Sequence, residues 1–446
     1  MPISKRTGRT LRPVLALLAL SACTTDSLNV SNPDLITPES QQSAAGAQVI
    51  RNGAVQDFYS SYSGTQDGVI MMSGAMADEI EVTDTFADRQ RANERATDPT
   101  LGGAQNTLYQ GLHKARVGLS NATKFWSEFK ATSKDSLAEI YSLKGFSENF
   151  FAELYCAGVP FSYENAGQPV YGMPQTTVQM LNAAAASFDT ALTNATSANQ
   201  RALASIGKAR VLLNLGQFTQ AAAAVSGIAT SFSYRTYHTT SRTAQQNGIW
   251  TGTVPAGTRY TVSTNEGGNG YNFLQTPADP RMPWLPSTRT GFDGRTTNMP
   301  TQQKYPANNS SAVLADGVEA RLIELEAQLR LDTQAGRDAV FAGLNNLRAT
   351  AITPAMAALA GSAPTTQAAA VDQFFRERAS WLWLTGHRLG DMRRLIRQYG
   401  RAANTVFPVG TVRTRPEVTY GTDVNFTIPF RETNNPNFSG CLDRNP

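Results

Sequence analysis

The chain has 446 residues, of which 41% are hydrophobic and 17% are charged, and 39 Lys and Arg residues against 35 Asp and Glu give a formal net charge of +4. This length is ample for a large buried core, in one helical-repeat body or in two domains. The small cationic excess gives no support for nucleic-acid binding, which needs many phosphate-neutralising side chains.

The first 22 residues are typical of a bacterial lipoprotein signal peptide. Four basic residues precede an apolar run from 14 to 20, which is shorter than the roughly 20 residues that span a bilayer. The ending Leu20-Ser21-Ala22-Cys23 resembles a lipobox, so Cys23 is predicted to carry the lipid and to begin the mature chain. Removal of residues 1–22 leaves 35 basic against 35 acidic residues, so the mature chain is expected to be neutral.

The segment that follows Cys23 is polar and punctuated by proline. Residues 23–40 are therefore predicted to be a tether between the lipid and the body of the protein, and residues 41–446 to form a helical domain. An acidic run lies early in this domain. Its spacing does not match the twelve-residue calcium loop, so it is expected to be a solvated face and not a metal site. The run contains Asp78, Glu79, Glu81 and Asp84.

Helical periodicity is strong from 103 to 225 and returns from 318 to 347. Capping boxes predict that one helix opens at Ser136 and another at Thr176. The stretch 209–221 resembles the middle of a tetratricopeptide repeat, in which the small Ala209 lets two helices approach and Leu215-Gly216 makes the turn. Such helix pairs bury their apolar faces by stacking, so the fold class is predicted to be a mainly α superhelix of helix pairs.

Residues 232–310 form an insert that is rich in Gly, Thr, Ser, Asn and Pro and contains scattered aromatic residues. An irregular insert of this length is usually functional. Tryptophan and tyrosine offer flat apolar faces to sugar rings or peptide side chains while their polar edges stay wet. Most of these aromatic residues are expected to pack the insert onto the helical body. Trp250, Tyr271 and Trp284 are the candidate ligand contacts.

Residues 376–399 carry apolar side chains at three- and four-residue steps on both sides of a glycine, which predicts two helical segments meeting there. A compact group of charged residues follows that glycine. The C-terminal motif consists of Gly386, His387, Arg388, Asp391, Arg393 and Arg394. It resembles the GHR-x-x-D-x-R-R signature of SusD/RagB outer-membrane lipoproteins.

The C-terminal motif allows two interpretations. Its histidine, aspartate and arginines could be a catalytic or phosphate-binding set, because arginine forks match carboxylate and phosphate oxygens. Asp391, however, lies three and four residues from Arg388 and His387, and Arg394 lies three beyond Asp391, so these side chains can pair along one helix face. We expect a structural polar network, and the resemblance agrees, because the signature is not the ligand site of SusD/RagB proteins.

The resemblance extends over nearly the whole mature chain and rests on the lipobox, the repeat helices, the C-terminal motif and the ending from Tyr420 to Asn437. It implies a lipid-anchored protein of the outer membrane that faces the cell exterior. It also implies a partner, a SusC-like TonB-dependent transporter over whose mouth the lipoprotein sits as a lid. The ligand would be an oligosaccharide or a peptide, and neither catalytic activity nor a cofactor is implied.

Two other classes of protein remain open. A helical glycoside hydrolase needs two carboxyl groups that sequence alone does not locate. A repeat adaptor of an envelope complex would bind no small ligand. Neither a G-x-S-x-G nor an H-E-x-x-H motif occurs, and the three histidines lie in separate segments, so an enzyme is disfavoured.

Cys156 and Cys441 are the two cysteines outside the signal peptide and lipobox. Export to an oxidising compartment favours a disulfide between them over two free thiols. Neither has a histidine or second cysteine at metal-ligand spacing, so no metal site is predicted.

Overall fold

The computed structural model describes residues 42–130, 132–165, 167–254 and 258–446. The predicted signal peptide, the lipidation site at Cys23 and the predicted tether lie outside these residues. None of the helices in the described ranges is long and apolar enough to cross a membrane.

Helices dominate the described chain, as the sequence predicts. The first group is α1 Ala44–Tyr59, α2 Val69–Met76, α3 Ala87–Asn93, α4 Ala104–Phe129, α5 Lys134–Leu154, α6 Thr177–Asn194, α7 Ala198–Asn214 and α8 Phe218–Val225. The second group is α9 Gly248–Thr253, α10 Gly317–Leu329, α11 Gln334–Thr350, α12 Gln367–Trp381, α13 Arg388–Tyr399 and α14 Ala403–Val406.

The helices stack in sequence order, which gives the body its repeat architecture. Each helix from α4 to α8 contacts the next, α8 contacts α10, and α10 contacts α11 and α12. Two glycines permit the close approach of α5, α6 and α7 around Phe188. A Cβ at Gly207 would lie 2.1 Å from the Phe188 ring, and one at Gly145 would lie 2.9 Å from it. The mainly α, tetratricopeptide-like fold predicted from the sequence is confirmed.

The two predicted capping boxes have different outcomes. At α6 the Thr176 hydroxyl accepts from the backbone of Gln179, and the Gln179 side chain reciprocates. At α5 the prediction is wrong, because the helix begins earlier, at Lys134, and Ser136 lies inside it. Glu139, the supposed partner in that box, instead accepts a 2.7 Å hydrogen bond from the Tyr234 hydroxyl.

Short antiparallel strands connect the insert to the body, so residues 232–310 are not structureless. Inside the insert, the strand β6 (Ser233–Thr236) pairs with β10 (Ala312–Asp316), which lies outside it. The strand β7 (Tyr260–Val262), also inside the insert, pairs with β1 (Ile80–Val82) of the body. The other pairs are β2–β5, β3–β4, β8–β9 and β11–β12. The strands are β1 Ile80–Val82, β2 Val159–Pro160, β3 Tyr163–Asn165, β4 Gln168–Val170, β5 Pro174–Gln175, β6 Ser233–Thr236, β7 Tyr260–Val262, β8 Trp284–Leu285, β9 Thr301–Gln302, β10 Ala312–Asp316, β11 Thr411–Val412 and β12 Arg415–Thr419.

The acidic run is buried, so the expectation of a solvated face was wrong. Its four carboxylates are at most 1% exposed. Three of them meet arginines, which supply the compensating charge that a buried carboxylate requires, and all but one of these arginines come from distant parts of the chain. The ion pairs are Asp78 with Arg388, Glu81 with Arg413, and Asp84 with Arg89 and Arg259.

A disulfide joins Cys156, two residues after the end of α5, to Cys441 in the C-terminal tail. The two Cα atoms are 5.8 Å apart. The tail also contacts the body through its backbone, since the amide of Leu442 donates to the carbonyl of Ala157. The disulfide therefore holds the tail against the start of the β2–β5 region.

We predict that this disulfide contributes substantially to stability. In a Cys23→Ala background, replacing Cys156 and Cys441 together with alanine should lower the free energy of unfolding by up to about 5 kcal/mol, because a long loop loses its covalent closure. Urea titration measures the loss. Reaction of both thiols with a maleimide in the denatured, unreduced parent protein would contradict the prediction.

Candidate functional site

The C-terminal motif begins at the junction of α12 and α13. Gly386 has a φ of +75°, a conformation that glycine adopts without strain, and it directs the chain from one helix into the next. The junction is fixed to the N-terminal helices, because the Tyr62 hydroxyl donates to the carbonyl of Thr385 at 3.0 Å. Tyr62 in turn stacks on Phe150 of α5, with ring centroids 5.5 Å apart.

Asp391 and Arg388 bind different partners, so the predicted pairing between them is wrong. Arg388 makes a two-point ion pair with Asp78, with distances of 2.7 and 2.8 Å. Asp391 accepts from Arg378 at 2.8 Å and from Arg394 at 2.7 Å, so the predicted pairing of Asp391 with Arg394 is present. Arg388 turns away from Asp391 because α13 packs against α2, which ends two residues before Asp78.

The remaining motif side chains bind within the body. His387 Nε2 lies 3.0 Å from Glu319 Oε1, a carboxylate that Arg210 also holds at 2.7 and 2.8 Å. Arg393 donates to the carbonyls of Ala152 and Glu153, which are among the last carbonyls of α5 and have no partner inside that helix. The motif residues thus join α13 to the body of the fold.

A polar cleft of about 580 Å³ lies beside Arg388, and we refer to it as the central cleft. One wall comes from the insert and the other from the C-terminal helices. Amide side chains and arginines dominate its lining. The lining residues are Asn265, Asn269, Gly270, Tyr271, Asn272, Gln275, Asp372, Phe375, Arg376, Arg388, Leu395, Arg401, Thr405 and Val406.

The insert wall of the central cleft is a tight turn seated on the chain that follows α14. Asn265 and Gly267 have φ values of +47° and +60°, and a Cβ at Gly267 would lie 2.1 Å from the Val409 carbonyl oxygen. The Asn269 side chain donates to the carbonyl of Phe407 at 2.9 Å and accepts from the amide of Val409 at 3.2 Å. These contacts hold the two walls in a fixed relation.

Tyr271 is held at both ends on the insert wall. Its backbone amide donates to Asp78 Oδ2 at 2.8 Å, so the carboxylate that binds Arg388 also positions this residue. Its hydroxyl lies 2.8 Å from Ser380 Oγ and accepts from Gln275 Nε2 at 2.8 Å. The ring is half-buried and lines the cleft.

The three candidate ligand contacts predicted from the sequence occupy different positions. Trp284 is half-buried against the core, and its indole donates to the carbonyl of Gln275 at 3.3 Å. Tyr271 and Trp284 therefore converge on Gln275. Trp250 is half-buried on α9, where Asn247 caps its backbone amide at 2.9 Å, and it does not line the central cleft. Ligand contact by any of the three stays a prediction.

The arginines of the central cleft differ in how far they are neutralised. Arg388 is bound by Asp78, and Arg401 pairs with Asp372 at 2.8 Å. Arg376 is exposed and its guanidinium has no partner among the described residues. The cleft therefore presents one free guanidinium.

Sequence reasoning missed Arg376, Arg401, Asp372 and Asn265 as cleft residues. They come from segments that meet only in the folded chain. One signal was present, the concentration of amide side chains in the stretch 265–275.

A second buried acid, Glu79, lies next to Asp78 behind the cleft. Burial raises the pKa of Glu79 from 4.5 to about 8, and a 2.8 Å hydrogen bond from the amide of Leu384 offsets part of that increase. Burial also lowers the pKa of Lys304 to about 8. The Lys304 ammonium group donates to the carbonyl of Trp383 in the same region.

The structure is a helical-repeat body with a polar surface cleft, and solved SusD superfamily structures share the fold of this body. No known family profile and no curated protein matches the chain. A SusD superfamily protein from Bacteroides thetaiotaomicron is similar at a TM-score of 0.68 and 14% identity, covering 90% of this chain and 100% of that one. A laminarin binding SusD-like protein is similar at 0.61 and 15%, with 90% and 99% covered.

B. fragilis NanU has the same fold, at a TM-score of 0.63 and 13% identity, with 92% of this chain and 100% of NanU covered. At these identities the similarity establishes the fold alone. The chain therefore has the SusD fold, and the resemblance predicted from its C-terminal motif is confirmed at the level of the fold.

We predict that the Asp78–Arg388 pair is essential for stability. Arg388→Met should lower the free energy of unfolding by about 3–5 kcal/mol, because it leaves a buried carboxylate without its cation. The double variant Asp78→Asn, Arg388→Met should recover part of this loss in urea titration. Arg401→Met is the matched control, since it breaks an exposed pair in the same cleft and should cost about 0–1 kcal/mol. Equal losses from Arg388→Met and Arg401→Met would contradict the prediction.

We predict a pH dependence that originates at Glu79. The folded protein keeps a proton on Glu79 that the unfolded chain loses between pH 4.5 and about 8, so the free energy of unfolding should fall as pH rises through this window. Glu79→Gln removes this titration and keeps an acceptor for Leu384. Its stability relative to the parent should rise by a few kcal/mol between pH 5 and pH 8.

Urea titrations at several pH values measure this effect. Glu417→Gln, at an exposed position, serves as the control and should follow the parent at every pH. Parallel stability curves for Glu79→Gln and the parent would exclude Glu79 as the source.

Proposed function

We propose that this protein is an outer-membrane lipoprotein of the SusD/RagB type that binds an oligosaccharide in the central cleft and passes it to a TonB-dependent transporter. The observation that carries the proposal is the position of Tyr271 between free amide and guanidinium groups on a SusD fold. Two similar structures are described as a laminarin binding SusD-like protein and a SusD-like carbohydrate binding protein. Both descriptions support a carbohydrate ligand for this chain.

The chemistry of the central cleft suits a sugar. The Tyr271 ring offers an apolar surface to the C–H face of a pyranose, and planar amide and guanidinium groups can bond its hydroxyls from the side. The side chain of Asn265 is exposed and makes no hydrogen bond within the described ranges, and Arg376 is free in the same sense. Both groups can bond a ligand without breaking an existing contact.

Binding explains this cleft better than hydrolysis. A glycoside hydrolase needs two carboxyl groups on opposite sides of the scissile bond. The described lining of the central cleft supplies one, Asp372, and Arg401 already holds it. We therefore propose that the protein is not an enzyme. Release of product from a bound oligosaccharide by the purified protein would favour the hydrolase alternative.

The lipid at Cys23 would fix the protein to the outer membrane, with the described domain facing the cell exterior. A transporter partner follows from the SusD/RagB resemblance. Purification from native membranes tests both points, since a barrel protein and a bound sugar should accompany the chain. A chain that is recovered alone and binds no glycan would favour the adaptor alternative.

We predict that Tyr271→Ala weakens oligosaccharide binding by about 1–3 kcal/mol, as expected for the loss of one aromatic anchor. Tyr271→Phe is the matched control, because it keeps the ring and loses only the hydroxyl. Isothermal titration calorimetry measures the affinity, and circular dichroism checks that the helices remain folded. For a neutral oligosaccharide the affinity should change little with salt, because stacking and hydrogen bonds act at short range.

Alanine variants of Trp284 and Trp250 distinguish between the central cleft and α9 as the position of the ligand site. Trp284→Ala should also weaken binding, since Trp284 and Tyr271 share Gln275. If Trp250→Ala weakens binding and Tyr271→Ala does not, the ligand binds at α9 and the central cleft is the wrong site. A steep loss of affinity with salt would indicate a charged ligand.

A further inference from the structure

A second cleft of about 610 Å³ lies away from the central cleft, and the two share no lining residue. It is bounded by the first half of α4, by the β3–β4 hairpin and by a short 3-10 helix, Phe430–Asn434, in the tail. We refer to it as the hairpin cleft. The aromatic residues of its lining are Tyr109, His113, Tyr163 and Tyr171, and the polar ones include Asn106, Glu164, Arg431, Glu432 and Asn435.

The walls of the hairpin cleft are fixed to one another. On the α4 side, Arg116 donates to the carbonyl of Ser162, and Asn121 donates to Glu164 at 3.1 Å. On the tail side, Asn435 donates to the carbonyl of Gly172 at 3.1 Å. Hydrogen bonds thus join the three segments without any ligand. The cleft is therefore preformed, and binding would cost little ordering entropy.

Asn106 lies on the wall of the hairpin cleft with its polar capacity unused. The residue is only 5% exposed, and its side-chain oxygen has no hydrogen-bond partner in the described part of the chain. His113, about two turns further along α4, also has a buried ring nitrogen without a partner there. Buried polar groups in proteins are nearly always bonded, so an unpartnered oxygen in a cleft wall is a position that a ligand group can complete.

The hairpin cleft offers both acceptors, on Glu432, and a donor group, the exposed guanidinium of Arg431. The Glu432 carboxylate accepts from the Tyr109 hydroxyl at 2.9 Å and from Asn435 at 3.2 Å, and its carboxylate lone pairs leave room for further donors. Burial, with the nearby charge of Arg116, holds the pKa of His113 well below its usual range, so its ring is neutral. Charges of both signs thus line the cleft, and a sugar hydroxyl, which can donate to Glu432 or accept from Arg431, is complementary to both.

Two tyrosines at the mouth of the hairpin cleft keep much of their surface free. Tyr163 is 52% exposed and Tyr171 is 45% exposed, although both belong to an ordered hairpin region. Tyrosine rings that are partly buried and partly wet are the side chains that stack on the C–H faces of sugar rings. A pyranose has an apolar face and a rim of hydroxyls, so it can stack on these rings and bond the polar groups that line the same cleft.

We propose that the hairpin cleft is a second carbohydrate site, which takes a neutral pyranose ring between Tyr163 and Tyr171 and bonds its hydroxyls to Asn106 and Glu432. This site lies outside the central cleft and does not depend on the function proposed for it. A protein with two sites could hold one long glycan at two points, or two short ones.

The test compares variants of each cleft in the full-length protein in mild detergent. The probes are laminarihexaose, maltohexaose and cellohexaose, titrated by calorimetry to millimolar concentration. Tyr163→Ala and Tyr171→Ala, combined, remove the stacking surface of the hairpin cleft, and Asn106→Leu removes the amide at similar size. Tyr271→Ala reports on the central cleft. Tyr237→Ala is the control, since this tyrosine is 66% exposed and lines neither cleft.

For at least one probe we expect the tyrosine double variant to weaken binding tenfold or more, which corresponds to about 1.4 kcal/mol. The same binding should persist in Tyr237→Ala and in Tyr271→Ala. Asn106→Leu should weaken it as well, and the tyrosine variant keeps the test valid if Asn106→Leu fails to fold.

Parental affinity for every probe in the tyrosine double variant would overturn the second site and leave the central cleft unaffected. Loss in that variant with parental binding in Tyr271→Ala would support the second site and count against the central one. Binding of peptides but of none of the three sugars to the hairpin cleft would overturn the carbohydrate assignment, as would the absence of any sugar binding that the hairpin variants reduce.

Discussion

The fold and the central cleft depend on one buried carboxylate, Asp78. It holds the guanidinium of Arg388 at two points and accepts from the backbone amide of Tyr271. A buried ion pair is expensive to desolvate, and it persists only where geometry and additional hydrogen bonds compensate for that loss. Here the additional hydrogen bond reaches the insert. The side chains of the C-terminal motif therefore hold the fold together. Through Asp78, the partner of Arg388, the motif also determines the position of the candidate ligand contact Tyr271.

Much of the fold was readable in the sequence because apolar spacing and helix caps are local signals. Thr176 and the stretch around Ala209 predicted helix positions correctly, and the C-terminal motif pointed to the SusD fold. The acidic run was misread because its neutralisation is not local. Asp78 meets Arg388, and Glu81 meets Arg413, across more than 300 residues of sequence. A charge run looks solvated whenever its partners lie so far away.

The site was only partly predictable for a related reason. Tyr271 was a candidate because a tyrosine ring offers a flat apolar face to a sugar while its polar edge stays wet, and it does line the central cleft. The opposite wall comes from α12, α13 and the chain after α13, and the contact of Gly267 with Val409 joins that chain to the insert. No pattern in the sequence predicts the contact between Gly267 and Val409. Packing also decides which arginine is free. Arg388 is held by Asp78 because α13 packs against α2, whereas Arg376 on α12 is exposed.

The two clefts offer different sets of hydrogen-bonding groups, and this difference bears on ligand choice more than net charge does. A neutral mature chain would exert little long-range steering, so selection depends on groups within about 8–10 Å of the ligand. The central cleft offers a free guanidinium at Arg376, which suits acceptor substituents such as carbonyl or carboxylate groups. The hairpin cleft offers acceptors at Asn106 and Glu432, which suit hydroxyl donors, beside the guanidinium of Arg431. A glycan that carries both kinds of substituent would place one sugar unit in the central cleft and a different unit in the hairpin cleft. The order of its sugar units, and not their charge alone, would then determine its affinity.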